Sequence, residues 1–378
     1  MRGSGAGEPA PIGIDARKLG DFGIGEYLRH LIGHLPAAGP EREYVLFHRG
    51  VAPAEWRGVA NLRPVRDDAP PYSLREQWSL SRNPRRHGLG LLHLPHYVVP
   101  VLPSGPHVVT VHDTIHLAFP ENLPGPAARW YARFMLGRAV RTSRRILTVS
   151  QYSKGQLMAR LGVPEEKIAV IPLGRPPDAR PECENAGKGG VLGRYGLARP
   201  FLLHVGNLRM RHKNLPILLA AYTLLRLRHG LDPLLALCGG GGAESVWAGI
   251  ERLPGELRRD VRALGFVPRA HLMALYRAAA VVVCPSLDEG FGLPALEAMG
   301  CGTPVVAAEA GALPEVLGGT GLTVPPREPE AFAQELARVL TDGALRETLV
   351  RRGLARAAEF SWAEHARRTV QVYREALD

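Results

Sequence analysis

The chain alternates short apolar runs with stretches of helical periodicity, and it does so twice. IGID at 12–15, YVLF at 44–47, LLHL at 91–94, HVVTVHD at 107–113, RILTVS at 145–150 and IAVIP at 168–172 read as strands. Helical patterns fall between some of them, at about 25–36, 126–142 and 151–161. Runs that are apolar throughout belong to strands buried on both faces, and the intervening helices supply the cover. The pattern predicts an α/β fold with a parallel sheet. Residues 173–200, rich in Pro, Gly and charge, interrupt this rhythm and read as a linker. Beyond them strands are expected at 201–205, 234–238, 261–266, 280–284 and 304–307. Helices are expected at 215–229, 270–278, 294–300 and 328–341, with a terminal helix at about 362–376. At 378 residues the chain is long for one core, so two doubly wound Rossmann-like domains are predicted. The expected division is 1–177, a linker at 178–199, 200–358, and a terminal segment at 359–378 that packs back toward the first domain. Ligands of such domains bind beyond the carboxyl ends of the strands, so a cleft between two facing domains is the expected site.

Composition narrows the partners. The net charge of +11 favours anionic ones: nucleotides, phosphorylated substrates, an anionic membrane or nucleic acid. Only 6% of residues are aromatic, which speaks against a nucleic-acid face of interleaved basic and aromatic side chains. No nucleic-acid partner is expected. Cys183, Cys238, Cys284 and Cys301 form no CxxC and sit at no zinc-like spacing, which predicts reduced thiols and no structural zinc. No run of about 18 apolar residues exists, and the N-terminus has no signal-like stretch, so a cytoplasmic location is expected.

The chemistry concentrates in CPSLDEGFGLPALEAMGCGTPVVA, 284–307. Read as strand, loop and helix, it places Pro294 in the first helical turn, where its missing N–H costs nothing. The helix N-terminus offers N–H groups and partial positive charge to an anion. Gly290 and Gly292 allow a ligand close to the backbone. Glu297, one turn into the helix, can accept hydrogen bonds from a vicinal diol such as a ribose. Glu289 on the loop can do the same for a second sugar. An anion cradle flanked by two such carboxylates suits a sugar nucleotide. Asp67-Asp68 lie in a polar loop and read as solvated, and no DxD motif stands at a strand end, so no metal site is expected. The GGGG at 239–242 reads as a flexible loop.

The motif closely resembles the Glu-x7-Glu signature of retaining family-4 glycosyltransferases, which have the GT-B fold. GIDARKLGDFGIGEYLRHL (13–31), VTVHDTIHLAFPE (109–121), ILTVSQYSK (146–154), HVGNLRMRHKNL (204–215), ALGFVPRAHLMALYRAA (263–279) and FSWAEHARRTVQVYREAL (360–377) fit the family in its order. The resemblance thus covers nearly the whole chain. It implies that Glu289 contacts donor-sugar hydroxyls and Glu297 the nucleotide ribose. The backbone of Gly290, Phe291, Gly292 and Leu293 would hold sugar and diphosphate. Lys213 would neutralise the diphosphate, and His112 would contact the donor sugar. Gly23, Gly25, Gly206, Asn207 and Val267 match donor-binding loops. Many relatives pair the lysine with an Arg five or six residues earlier; Leu208 and Asn207 stand there, so Arg209, or else Arg211, is the expected substitute. Asn214 is expected to cap the helix that follows, and Asp113 to be structural.

The resemblance implies a retaining hexosyltransferase that needs no cofactor, with the acceptor on the first domain and the donor on the second. The helix dipole and Lys213 would replace a metal. The GIDAR…GIGEY start is similar to that of mannosyltransferases of bacterial polysaccharide assembly. That favours GDP-mannose, with a UDP-sugar or another GDP-sugar as alternative, and a glycan or lipid-linked acceptor. A sugar-nucleotide epimerase or hydrolase of the same fold, and a basic nucleic-acid-binding protein, are the competing readings. ARWYARFMLGRAVRTSRR, 128–145, sets Arg129, Arg133, Arg138, Arg141, Arg144 and Arg145 around Trp130, Tyr131, Phe134, Met135 and Leu136, which allows a peripheral contact with the anionic inner face of the cell membrane that replacing Arg141, Arg144 and Arg145 should weaken.

Overall fold

The computed structural model describes residues 9–102, 105–181, 188–240 and 243–378. Cys183, Gly241 and Gly242 lie outside the described residues. The chain divides into two compact units. One holds the chain up to Thr114, Pro126–Gly174 and Ser361–Asp378; the other holds Ile115–Gly125 and Arg175–Phe360.

Among the described residues the first unit is built on a seven-stranded sheet, in the order β3-β2-β1-β4-β5-β6-β7. Its strands are β1 Ile12–Asp15, β2 Tyr44–His48, β3 Leu62–Arg66, β4 Leu91–Leu94, β5 His107–Thr110, β6 Arg145–Thr148 and β7 Ile168–Val170. Every pairing is parallel, with Ile12 beside both Tyr44 and Leu91. The second unit carries six strands in the order β10-β9-β8-β11-β12-β13. These are β8 Phe201–Val205, β9 Leu234–Cys238, β10 Val261–Gly265, β11 Val281–Cys284, β12 Val305–Ala308 and β13 Leu322–Val324, again all parallel. In both sheets the order reverses beside the first strand, between β1 and β4 and between β8 and β11. Doubly wound sheets take their ligands beyond the strand ends at such a reversal.

The inner strands are buried residue by residue: β2, β4, β5, β9, β11 and β12 are buried along their whole length. Fully burying a Leu or Ile side chain stabilises the fold by about 1.5–3 kcal/mol, so these strands anchor both cores. Cys238, Cys284 and Cys301 are free thiols inside the second core, where burial pushes each up to about 12.

Helix Trp362–Leu377 belongs to the first unit. Ser361 caps it by accepting from the Glu364 N–H. The Trp362 ring stacks on His30, 4.8 Å away. His365 Nδ1 donates to the Pro172 carbonyl at 2.9 Å, and Tyr373 is fully buried.

Three local expectations are corrected. Asp67 is not solvated: it accepts from Asn83 at 3.0 Å and from the Ser79 hydroxyl, close to the Arg17 that clamps Asp15. Asn214 does not cap its helix through its side chain; it is left-handed (φ 57°), and its amide donates to the Pro285 and Pro326 carbonyls at 3.0 and 2.7 Å. The start of the GGGG stretch is pinned. Gly239 has φ 138°, its N–H donates to the Gly265 carbonyl at 2.8 Å, and the Gly240 carbonyl accepts from Leu208. The stretch at 173–200 also carries a short helix, Lys188–Arg194.

Candidate active site

In the second unit the site grows from the two strand ends that flank this reversal. β8 runs into Gly206, and a Cβ there would sit 3.3 Å from Cδ and Cε of Lys213, so the glycine leaves room for the lysine stem. A Cβ on Gly239 would come 1.8 Å from the Gly206 carbonyl oxygen, so the ends of β8 and β9 meet glycine to glycine. Asn207 then turns the chain: its side-chain oxygen accepts from the Arg209 N–H at 3.2 Å and its carbonyl from Met210 at 3.1 Å. Asn207 and Arg209 are exposed. A 3-10 turn, Arg211–Lys213, follows.

This loop is tied on two sides. Toward β11, the His212 carbonyl accepts from Leu287 N–H at 2.7 Å. On the other side stands Asn122, on the 115–125 segment that belongs to this unit. Its amide oxygen accepts from Arg211 N–H and its NH2 donates to His212 Nδ1, each at 3.0 Å. The Phe119 ring lies 5.8 Å from that of His212.

Beyond β11, Lys213 and Glu289 meet. Lys213 Nζ donates to Glu289 Oε1 at 2.5 Å, and the Ser286 hydroxyl donates to the same oxygen at 2.7 Å. Both charged side chains are 14% exposed. Burial works to raise the Glu289 pKa, but the Lys213 charge, the two hydrogen bonds and the nearby His212 outweigh it, and the carboxyl is held below its ordinary range. Gly311 backs the loop: its φ is 60°, and a Cβ would lie 2.4 Å from the Glu289 nitrogen.

Gly292, at φ 99°, then turns the chain into helix Leu293–Gly300 with Pro294 in the first turn. A Cβ at Gly292 would press on Leu313 at 2.9 Å. Gly290 is buried, Phe291 packs edge-on against Phe360 with centroids 5.7 Å apart, and Leu293 is half-buried. The first N–H groups of the helix have no acceptor within it, and they lie a few residues from the Lys213–Glu289 pair.

Glu297 is 6% exposed, so it is not the open carboxylate that its place in the sequence suggests. Arg269 donates to it and grips Asp178 with two bonds of 2.7 and 2.8 Å. Burial raises the Glu297 pKa, and Arg269 only partly opposes the rise. Val267 is buried just past the end of β10. Ser286, Arg269, Gly311 and Asn122 are the residues that sequence reasoning missed. Ser286 alone had a signal, three positions before Glu289 in the same motif.

The first unit presents its own set. His112 stands two residues past β5, half-buried, its ring edge-on to Tyr27 with centroids 4.8 Å apart. Its Nε2 bonds the Pro95 carbonyl at 3.1 Å. A carbonyl only accepts, so Nε2 carries the proton. Burial lowers the imidazole pKa against the pull of Asp113. The ring is therefore neutral near neutral pH, and Nδ1 is left as an acceptor. Behind it, Tyr27 and Thr110 share a hydrogen bond of 3.0 Å, Thr110 and His93 Nε2 one of 2.8 Å, and His93 Nδ1 and Tyr373 one of 2.6 Å. Burial drives His93 down to about 3. Gly25 is buried, and a Cβ there would lie 2.4 Å from the Leu19 carbonyl oxygen; Gly23 is exposed with open space around it.

Residues 23–179 match the Glycosyltransferase Family 4 model, and residues 199–342 match that of Glycosyl transferases group 1. Over 380 residues the chain is 33% identical to the O-antigen chain mannosyltransferase B of Escherichia coli, an alignment covering 93% of this chain and 96% of that one. The chain belongs to the family-4, group 1 glycosyltransferases.

A second relative of this glycosyltransferase is the MMP alpha-(1->4)-mannosyltransferase of Mycolicibacterium hassiacum, 31% identical over 77% of this chain and 69% of that protein. Among solved structures, sucrose-phosphate synthase from Thermosynechococcus elongatus superposes with a TM-score of 0.76 at 24% identity, covering 97% of this chain and 99% of its own. HepE from Anabaena, solved in complex with UDP-glucose, does so with a TM-score of 0.74 at 19% identity, covering 97% and 100%. At these identities the likeness establishes the fold, and the expected GT-B class holds for this glycosyltransferase.

Proposed function

We propose that this glycosyltransferase moves a hexose, mannose by preference, from a nucleotide-diphosphate sugar to a glycan or lipid-linked acceptor in polysaccharide or glycoconjugate assembly. It does so with retention and without a metal ion. The reading rests above all on one observation: Lys213 and Glu289 form a shielded pair, with Ser286, at the mouth of the helix that begins at Leu293. Two relatives named as mannosyltransferases support mannose, and GDP-mannose is the favoured donor ahead of a UDP-sugar.

The diphosphate sits against the N–H groups of 290–293, drawn by the helix dipole. Lys213 turns from Glu289 to the phosphate, where negative charge grows as the anomeric C–O bond breaks. Glu289, released from the lysine but still ionised, accepts from donor-sugar hydroxyls. Glu297 keeps Arg269 and takes the ribose. Arg209 adds a second cation for the phosphates. Gly206, Asn207 and Val267 carry backbone that lines the nucleotide, and Gly23 and Gly25, in the first turn of helix Phe22–Ala38, are donor-binding residues of the first unit. His112 Nδ1 accepts from a donor-sugar hydroxyl. The acceptor oxygen bonds to the anomeric carbon on the face the phosphate leaves, and its proton passes to the departing phosphate oxygen.

A donor panel with the purified protein tests this, with EDTA present and the product anomer read by NMR. GDP-mannose is turned over fastest, EDTA leaves the rate intact, and the product keeps the donor's anomeric configuration. Turnover restricted to UDP-sugars, a rate restored only by a divalent cation, or an inverted product would each overturn the corresponding part.

A further inference from the structure

Three neighbouring stretches of the first unit turn large apolar side chains outward. Helix Leu74–Arg86 exposes Leu74 (90%) and, one turn on, Trp78 (58%). The loop after β4 exposes Leu102 (62%). Helix Pro126–Thr142 exposes Trp130 (67%), stacked on Phe134 with centroids 5.3 Å apart. Hydrogen bonds hold the stretches side by side. Gln77 Oε1 accepts from Val101 N–H at 2.8 Å, and Arg138 Nε donates to the Pro100 carbonyl at 2.9 Å. The Tyr72 and Tyr131 rings meet edge-on at 6.0 Å, joining the starts of the two helices.

The same two helices expose Arg75, Arg82, Arg85, Arg86, Arg129 and Arg133. Among the described residues none of these six has a carboxylate partner; Arg82 instead lies over the Trp78 ring, 4.8 Å from its centroid. Two arginines just past the end of helix Pro126–Thr142 are tied down. Arg144 donates to the Ala376 carbonyl, and Arg145 to Glu375 and the Glu166 carbonyl, while Met135 and Leu136 are buried. Arg144 and Arg145, offered by the sequence pattern for a membrane contact, are therefore occupied by the scaffold.

We propose that the Trp78–Leu102–Trp130 face docks on an anionic lipid bilayer. Unpaired guanidinium groups call for phosphate. Leu74 and Leu102, with bare aliphatic tips, gain nothing from a nucleic-acid backbone and gain most from an acyl-chain boundary. Tryptophans sit well at that boundary because the indole is apolar with one polar edge. The face deepens the reading of a lipid-linked acceptor and rests on it for its use, but vesicle binding is measured without donor or acceptor, so either can fail alone.

The experiment is co-sedimentation of the full chain with phosphatidylglycerol–phosphatidylcholine vesicles, against pure phosphatidylcholine. The protein binds the anionic vesicles, and salt weakens the binding. Each arginine at such a surface contributes about fivefold in partitioning, so R82S/R85S/R86S binds about a hundredfold more weakly. W78S/W130S also binds more weakly but keeps the salt dependence. R346S/R351S/R352S, which removes three exposed arginines from the second unit, binds as the parent chain does. Melting curves of all three variants match the parent, since the altered side chains are exposed. No binding to anionic vesicles, equal binding to neutral ones, or an equal loss in the second-unit variant would overturn the proposal. So would an effect of the arginines on binding to heparin with none on vesicles, which would mark the face as one for a soluble polyanion.

Discussion

The Lys213–Glu289 pair is the part of the site most open to a quantitative test, by a double-mutant cycle of Lys213→Ala and Glu289→Gln. At 2.5 Å the two charges attract by about 7 kcal/mol at an effective dielectric constant near 20. Desolvation offsets much of this, because both side chains are 14% exposed. What remains measurable is the cost of orphaning one partner, about 3–5 kcal/mol for a shielded pair. Each single variant should therefore lose about 3 kcal/mol, and the double variant no more than one single, a coupling of about 3 kcal/mol. Urea unfolding near neutral pH reads all four corners. The pH dependence has a definite sign. Glu289 is depressed from its ordinary 4.5 in the folded protein, so its stabilising contribution is present above that value and is lost as pH falls through the lowered one. In Lys213→Ala burial acts with no lysine to oppose it and the carboxyl shifts upward. The penalty should be greatest near neutrality and should shrink toward about pH 4 as Glu289 protonates. Turnover at saturating donor should fall about 10²–10³-fold. Additive single-variant losses, or a penalty independent of pH, would refute the electrostatic argument. A rate restored by more donor would reduce Lys213 to a binding residue.

The other tests separate roles that the site combines. Glu297→Ala should weaken free-nucleotide binding, while Glu289→Ala should spare it and cut turnover; equal affinity losses by calorimetry would defeat this division. Gly239→Ala forces a Cβ to 1.8 Å from the Gly206 oxygen and should lower the melting temperature and nucleotide affinity together, whereas normal melting would mean that the β8–β9 junction yields. Gly23→Ala meets open space inside helix Phe22–Ala38 and should gain about 0.5–1 kcal/mol in stability yet lose turnover. Unchanged turnover there would make Gly23 ordinary scaffold. Asn122→Ala should cut kcat roughly tenfold by loosening the lysine loop, with recovery in Asn122→Asp, which keeps the acceptor for Arg211 N–H; an unaltered kcat would leave the loop held by the bond between Leu287 and the His212 carbonyl.

The apolar runs located the inner strands because those strands are buried on both faces: β1, β4, β8 and β9 lie at 12–15, 91–94, 201–205 and 234–238, where the runs are. Of the edge strands, β7 and β10 were legible at 168–172 and 261–266, but β3 and β13 carried no such signal. β3, LRPVR, has alternating exposure and a proline, and β13 is three residues long, since an edge strand is covered less and tolerates Pro. Helix Leu74–Arg86 was equally silent; its residues are mostly polar because so much of it faces outward. The sequence placed Glu289 and Glu297 in one motif at a helix start, a matter of local spacing. It left both looking like open carboxylates. Their partners come from 76 and 28 residues away, Lys213 for Glu289 and Arg269 for Glu297. The Lys213–Glu289 pairing exists only because β11 lies next to β8 in the sheet, and strand order is a property of long-range packing that no local pattern encodes.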